Sequence, residues 1–305
     1  MSDQAAPADT AQLFRSVRAA RSWVQKGIAR LEGSAVPGCV TLKPGDDAPP
    51  IFMLPGAAGS ILQIAPIAAA IGAAAPVYAI KPRGMEQGEI PCETLIEMAD
   101  YAIGVIRGMR SVGPYLLVGY SAGGLVALET ARRLAAAGDD VPLLVLLDTY
   151  PNRETWPFSC HVEIIVRQAF RALSALCRLG PRAAVGDAAR RLRSLLLYLT
   201  AAGLRLATPP PLAEEGSDAV SRRVHRATYE AGEAYRPARY DGRVVFLQPE
   251  YVPNLEPRAP RRVWGQYLPD LVIRRVPGSH LGMLDEGAVA VAAEISRCLA
   301  EAARR

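Results

Sequence analysis

Short apolar runs, each bounded by Gly, Pro or Asp, recur through the first half of the chain at residues 40–42, 51–54, 77–80, 115–118 and 143–147. The last four are continuous rather than alternating, the pattern of strands covered on both faces. Between them, apolar residues recur at helical spacing over about 61–71, 95–109 and 125–137. Gly138 follows the third of these, where a helix commonly ends. Such alternation predicts an α/β protein with a mostly parallel sheet, right-handed crossovers and helices on both faces.

After Tyr150-Pro151 the pattern changes. Residues 158–226 read as helical, rich in Leu, Ala and Arg, with Ile164, Ile165 and Phe170 among the residues expected to face inward. Pro209-Pro210-Pro211 marks a stiff turn before one more helix. Strand character returns at 244–247 and 271–276, a loop is expected over 249–262, and a last helix over about 284–303. A helical insertion in a sheet protein of this class reads as a lid over the ligand crevice. At the other end, the first ten residues look disordered. Leu13, Val17, Val24, Ile28 and Leu31 then recur at helical spacing up to Val36-Pro37-Gly38. That helix is expected to pack on the core or to dock another protein. The partition is thus an extension over 1–36 and one α/β domain over 37–305, with the insertion at about 158–226.

One segment imitates a membrane span, since residues 61–80 are apolar except for Gln63. Pro66 and Pro76 interrupt it and much of it is Ala or Gly, so a short helix and a buried strand explain it better. No secretory pattern opens the chain. Half the residues are apolar and 21% are charged, as in globular proteins. The formal charge of +5 comes from arginine, because lysine occurs only at Lys26, Lys43 and Lys81. Arginine suits phosphate groups, though it equally makes a solvated surface. No basic run with interleaved aromatics points to nucleic acid. Five cysteines, scattered and without metal-ligand spacing, read as reduced thiols of a cytoplasmic protein, with no metal and no bound cofactor.

The chemistry centres on Gly119-Tyr120-Ser121-Ala122-Gly123, directly after an apolar run and before a helical pattern. This is G-x-S-x-G, in which a sharp strand-to-helix turn exposes a serine hydroxyl above the sheet of an α/β-hydrolase. A serine needs a base to take its proton. Of the three histidines, His161 and His225 fall at the ends of the helical insertion, whereas His280 follows the strand 271–276 in a flexible turn. A loop at the carboxyl end of a strand is where an open α/β sheet gathers its site, so His280 is the candidate base. The base needs an acid to fix its tautomer. Asp148 ends the strand after the nucleophile's and completes the chain order Ser, Asp, His. Asp285, five residues past His280, is the competing acid and is expected to cap the last helix. For the oxyanion, the candidate donors are the N–H of Ala122 and that of Ala57, with Ala58 the alternative, in the small Gly-rich loop 54–60.

The sequence resembles the thioesterase domains of polyketide and nonribosomal peptide synthetases. The resemblance rests on Leu-Pro-Gly-Ala-Ala-Gly-Ser at 54–60, the run 77–80 leading to Arg83-Gly84, and Gly113–Gly124 around the serine. It also rests on Leu146-Leu147-Asp148-Thr149-Tyr150-Pro151, Tyr240-Asp241-Gly242, and Pro277-Gly278-Ser279-His280-Leu281-Gly282-Met283-Leu284. Together these span about residues 37–157 and 227–303. The resemblance implies hydrolysis or cyclisation of an acyl chain delivered as a phosphopantetheine thioester on a carrier protein or synthase module. An acyltransferase, an ester hydrolase and a catalytically silent binding module are the alternatives. The extension over 1–36 lies outside the family's core. The chain starts with Met and has no Asp-Ser-Leu attachment motif, so it is expected to be a stand-alone protein or an excised unit.

Overall fold

The computed structural model describes residues 36–86, 88–178, 218–252 and 256–304. The expected helix over residues 10–31 and the middle of the expected insertion lie outside the described residues. Seven strands form one sheet: β1 Cys39–Lys43, β2 Ile51–Leu54, β3 Val77–Ile80, β4 Leu116–Tyr120, β5 Leu143–Leu147, β6 Val244–Tyr251 and β7 Leu271–Ser279. Their order is β1-β3-β2-β4-β5-β6-β7. Only β1 runs antiparallel to its neighbour; the other five pairings are parallel.

Each continuous apolar strand splits its side chains between two cores because successive residues point to opposite faces. Ile51 and Met53 join Val118, Val145 and Leu247 on the face covered by α1 (Ile61–Ala70) and α7 (Ala288–Ala302). Phe52 and Leu54 join Leu117, Leu144 and Phe246 on the face covered by α2 (Leu95–Met109) and α3 (Ala122–Ala136). The imitation membrane span resolves into α1 and the whole of β3. Among the described residues, no helix is long and apolar enough to cross a membrane. Pro66 lies inside α1 rather than ending it, buried against the core.

The second half departs from the pattern in several places. β6 continues to Tyr251, where a loop is expected from residue 249, and a short helix α6 (Pro260–Trp264) follows. β7 continues to Ser279 because Tyr251 and Ser279 pair past an irregularity. Periodicity misses both extensions, since prolines at 249 and 277 imitate strand ends. Two helices of the expected insertion are described, α4 (Phe158–Arg178) and α5 (Ala219–Ala234), the latter running past residue 226. Ile164 is buried, but Phe170 is 72% exposed, against the inward position expected of it. Finally, Gly282–Leu284 form a 3-10 turn and α7 starts only at Ala288, with Gly287 rather than Asp285 at its N-cap.

Chain order and strand order reverse direction around β2. The chain passes from β2 to β3 on one side, then crosses to β4 on the other. Such a switch leaves a crevice outside the carboxyl ends of the strands on either side of it. Leu54 pairs with Gly119 there, so the Gly-rich loop after β2 and the serine after β4 leave the sheet side by side.

Candidate active site

Ser121 stands between β4 and α3 with φ 53° and ψ −124°, in a region that L-residues seldom occupy. Such a conformation costs about 1–3 kcal/mol and persists only where its surroundings enforce it. The enforcement is visible in the glycines. A Cβ on Gly119 would lie 2.5 Å from the Cα of Gly124, and one on Gly123 would lie 2.0 Å from the carbonyl oxygen of Pro55. Backbone therefore packs directly on backbone, and the loop after β2 is drawn against the serine turn.

That loop turns on a hydrogen bond from Gly59 N–H to Gly56 O of 2.9 Å. The Cβ position of Gly56 lies 3.6 Å from the Cβ of Ser121. Among the described residues, no loop or turn hydrogen bond takes the N–H of Ala57, Ala58 or Ala122. Ala122 is also the first residue of α3, whose leading N–H groups have no partner within the helix.

Asp148 leaves β5 with φ 44°, the other positive φ at a non-glycine residue among those described. Its N–H donates to Leu247 O at 3.0 Å, which ties the turn to β6. The residue is 4% exposed. Its Oδ2 lies 2.7 Å from Nδ1 of His280, which follows β7. Ser121 and His280 share no hydrogen bond in this structure, a looseness common in sites without substrate. The structure thus brings Asp148 and His280 together and sets Ser121 at the same sheet edge. His161 lies on α4, where its ring stacks on Trp156 and burial pushes its pKa down. His225 lies on α5.

Two residues at the site escape sequence reasoning. Tyr120, the variable residue of the motif, stacks its ring on His280 at 4.9 Å and donates its hydroxyl to the His280 carbonyl at 2.9 Å. Burial pushes its hydroxyl pKa up, so it remains a donor. Glu256, in the connection after β6, has its Oε2 buried without a hydrogen-bond partner. Burial first, then the charge of Asp148, pushes its carboxyl up to about 7. No motif flags Glu256, because its neighbours in sequence form a Pro- and Arg-rich stretch without periodicity.

A cleft of about 500 Å³, partly open to solvent, starts at Gly56 and Gly123 and runs between α2 and α5. Leu54, Ile80, Met98, Val126 and Val224 make most of its wall apolar. No cluster of three or more metal-ligating side chains occurs among the described residues.

A serine turn after β4, acid and histidine turns after β5 and β7, and this strand order define an α/β-hydrolase. The thioesterase domain family model matches residues 49–299, and the chain belongs to that family. Among curated relatives, it is 39% identical over 119 residues to a dimodular nonribosomal peptide synthase of Bacillus subtilis (strain 168). That match covers 39% of the chain and 5% of the synthase. It is 38% identical over 98 residues to an indigoidine synthase of Streptomyces lavendulae, covering 32% of the chain and 8% of the synthase. The matched part is thus a small fraction of these relatives' length. Among solved structures, the NocB thioesterase domain from the nocardicin cluster has a TM-score of 0.57 at 23% identity. That superposition covers 88% of this chain and all of that one. The type II thioesterase BorB from the borrelidin cluster gives 0.57 at 23%, covering 86% and 97%. A covalent complex of the NocB domain with a fluorophosphonate nocardicin G analogue gives 0.54 at 25%, covering 83% and 95%.

Proposed function

We propose that this chain is a serine thioesterase that hydrolyses or cyclises an acyl chain carried as a phosphopantetheine thioester. The observation that carries this reading is the 2.7 Å pairing of Asp148 with His280 at the sheet edge that also presents Ser121 on a strained turn. Ser121 Oγ attacks the thioester carbonyl carbon while Nε2 of His280 takes the hydroxyl proton. Asp148 holds the Nδ1–H of His280 and stabilises the imidazolium. The N–H groups of Ala57 and Ala122 receive the oxyanion, with Ala58 the alternative to Ala57. Collapse of the tetrahedral intermediate expels the thiol, protonated by His280, and leaves the acyl group on Ser121. Water, or a hydroxyl or amine of the acyl chain itself, then attacks with His280 again as base.

The apolar cleft beside Gly56 and Gly123 suits the acyl chain, and α5, which begins within the insertion expected at about residues 158–226, lines it with Val224 and Thr228. The partner is a carrier protein or synthase module; the chain itself holds no resident cofactor. Four buried cysteines without disulfides, Cys39, Cys92, Cys160 and Cys298, suit the reducing cytoplasm.

A panel of acyl-pantetheine thioesters, with products read by mass spectrometry, tests this reading. Free acid or macrocycle is expected from the wild type and neither from Ser121→Ala, which also loses labelling by a fluorophosphonate. Exclusive transfer to an added acceptor, without hydrolysis or cyclisation, would favour an acyltransferase instead.

A further inference from the structure

The cleft beside Gly56 and Gly123 has walls from two distant parts of the chain. Val224 and Thr228 of α5 line one side, and Pro82, Pro91 and Cys92, in the connection between β3 and α2, line another. That connection is held in shape from within. Oε2 of Glu89 accepts the N–H of Gly84 at 2.9 Å and that of Glu86 at 3.2 Å. Lys81 pairs with Glu86. Gly84 has φ 97°, and a Cβ there would lie 2.8 Å from backbone atoms of Pro91, so the two ends of the loop touch.

Two contacts join these walls. Arg223 of α5 donates Nη2–H to the Glu89 carbonyl at 2.8 Å and, more weakly, to the Gly84 carbonyl at 3.4 Å. One residue on, Val224 meets the loop at Gly59. A Cβ on Gly59 would lie 3.4 Å from Cγ1 of Val224, 3.3 Å from Cγ of Pro82 and 3.1 Å from Sδ of Met85. Side chains of both walls thus converge on one point, next to the candidate oxyanion donors at Ala57 and Ala58. No substrate carbon fits there, since it needs about 3.5–4.0 Å from each neighbour. The other end of α5 is tied to the sheet domain by the Tyr235 hydroxyl, which donates to Glu129 at 3.0 Å. Removing Arg223 therefore leaves α5 docked and releases only its first turns from the loop.

We propose that Arg223 is a positioning residue that sets acyl specificity. By clasping α5 to the loop after β3, it keeps the cleft a narrow apolar slot. Such a slot takes an unbranched aliphatic acyl chain and turns away a ring of equal carbon number. The proposal rests on the thioesterase function, in which the acyl group on Ser121 lies in this cleft, yet the clasp itself can be read without any turnover.

Octanoyl and cyclohexylacetyl N-acetylcysteamine thioesters have equal numbers of acyl carbons and the same methylene beside the carbonyl. The ratio of their kcat/KM values therefore reports the shape of the cleft. The wild type is expected to favour octanoyl. Arg223→Ala lowers that ratio by about fivefold, the scale of one net hydrogen bond, through KM rather than kcat. Glu89→Ala frees the loop from the other side and has the same effect, and the double variant is no worse than either alone. Arg223→Lys keeps a donor for the Glu89 carbonyl and restores most of the preference. Alkylation of Cys92 by N-ethylmaleimide, followed by peptide mass spectrometry, gives the reading without turnover. Cys92 is 6% exposed in the loop wall, so it reacts slowly in the wild type, faster in Arg223→Ala, and slowly again when octanoate is added. Glu89→Ala carries both comparisons if Arg223→Ala fails to fold. An unchanged substrate ratio, or equal alkylation of Cys92 with and without the clasp, would overturn the proposal. Faster alkylation in a chain that hydrolyses no thioester would instead refute the proposed function and leave the clasp standing.

Discussion

Ser121 and Asp148 are the two non-glycine residues with positive φ among those described, at 53° and 44°. They end the neighbouring strands β4 and β5. Each turns its side chain out of the sheet where an ordinary residue would continue into the next element. Strain at both positions is tolerable because backbone packing and ladder bonds over-determine them: the Ser121 N–H donates to Leu147 O and the Asp148 N–H to Leu247 O, each at 3.0 Å. A change that keeps the shape of Asp148 but not its charge therefore isolates the electrostatic role. Asp148→Asn is expected to lower kcat by about 10⁴-fold, as the equivalent change does in other serine triads, with little loss of stability. Steady-state kinetics beside thermal melting check this; full activity in Asp148→Asn would remove it from the acid's role.

At the scale of elements, α4 is amphipathic in an unequal way. Cys160 and Ile164 are buried with Trp156 and Val263 in a small satellite core. Phe158, Val162, Val166 and Phe170, spaced by four residues, are exposed along another side of the same helix. Periodicity alone marks Phe170 as an inward residue because it reports the width of an apolar stripe, not which part of it meets the core. Stability should separate the two sides. Ile164→Ala is expected to cost about 2–5 kcal/mol through lost burial and the cavity left behind. Phe170→Gln should change stability by less than about 0.5 kcal/mol. Denaturant melts of both variants give the comparison, and equal losses would mean that Phe170 is covered in solution.

Across the whole molecule, one buried polar group ties α5 to the sheet domain. Glu129 on α3 is 2% exposed, is held by both Nε and Nη2 of Arg132, and accepts the Tyr235 hydroxyl at 3.0 Å. Tyr235→Phe should cost about 1–3 kcal/mol, because a buried carboxylate loses a partner and nothing replaces it. Chemical denaturation measures the loss; an unchanged midpoint would show that α5 is anchored by its apolar face alone. Much of this architecture was legible beforehand. The strands β2 to β5, the helices α1 to α3, and the loops that carry Ser121, Asp148 and His280 follow from apolar runs, helical spacing and turn residues. All of these are properties of short stretches of chain, set by backbone sterics and by burial on one or two faces. The far ends of β6 and β7 were not legible, since prolines at 249 and 277 break the local pattern while pairing between distant strands continues it. Nor were Tyr120 and Glu256. Tyr120 reaches the His280 carbonyl across 160 residues, and the Glu256 segment is held by partners 89 and 107 residues away. The sequence by itself determined which residue types end which strands, because that is local chemistry. Only the tertiary structure decided which side chains surround the Asp148–His280 pair, because their positions depend on contacts that no local pattern encodes.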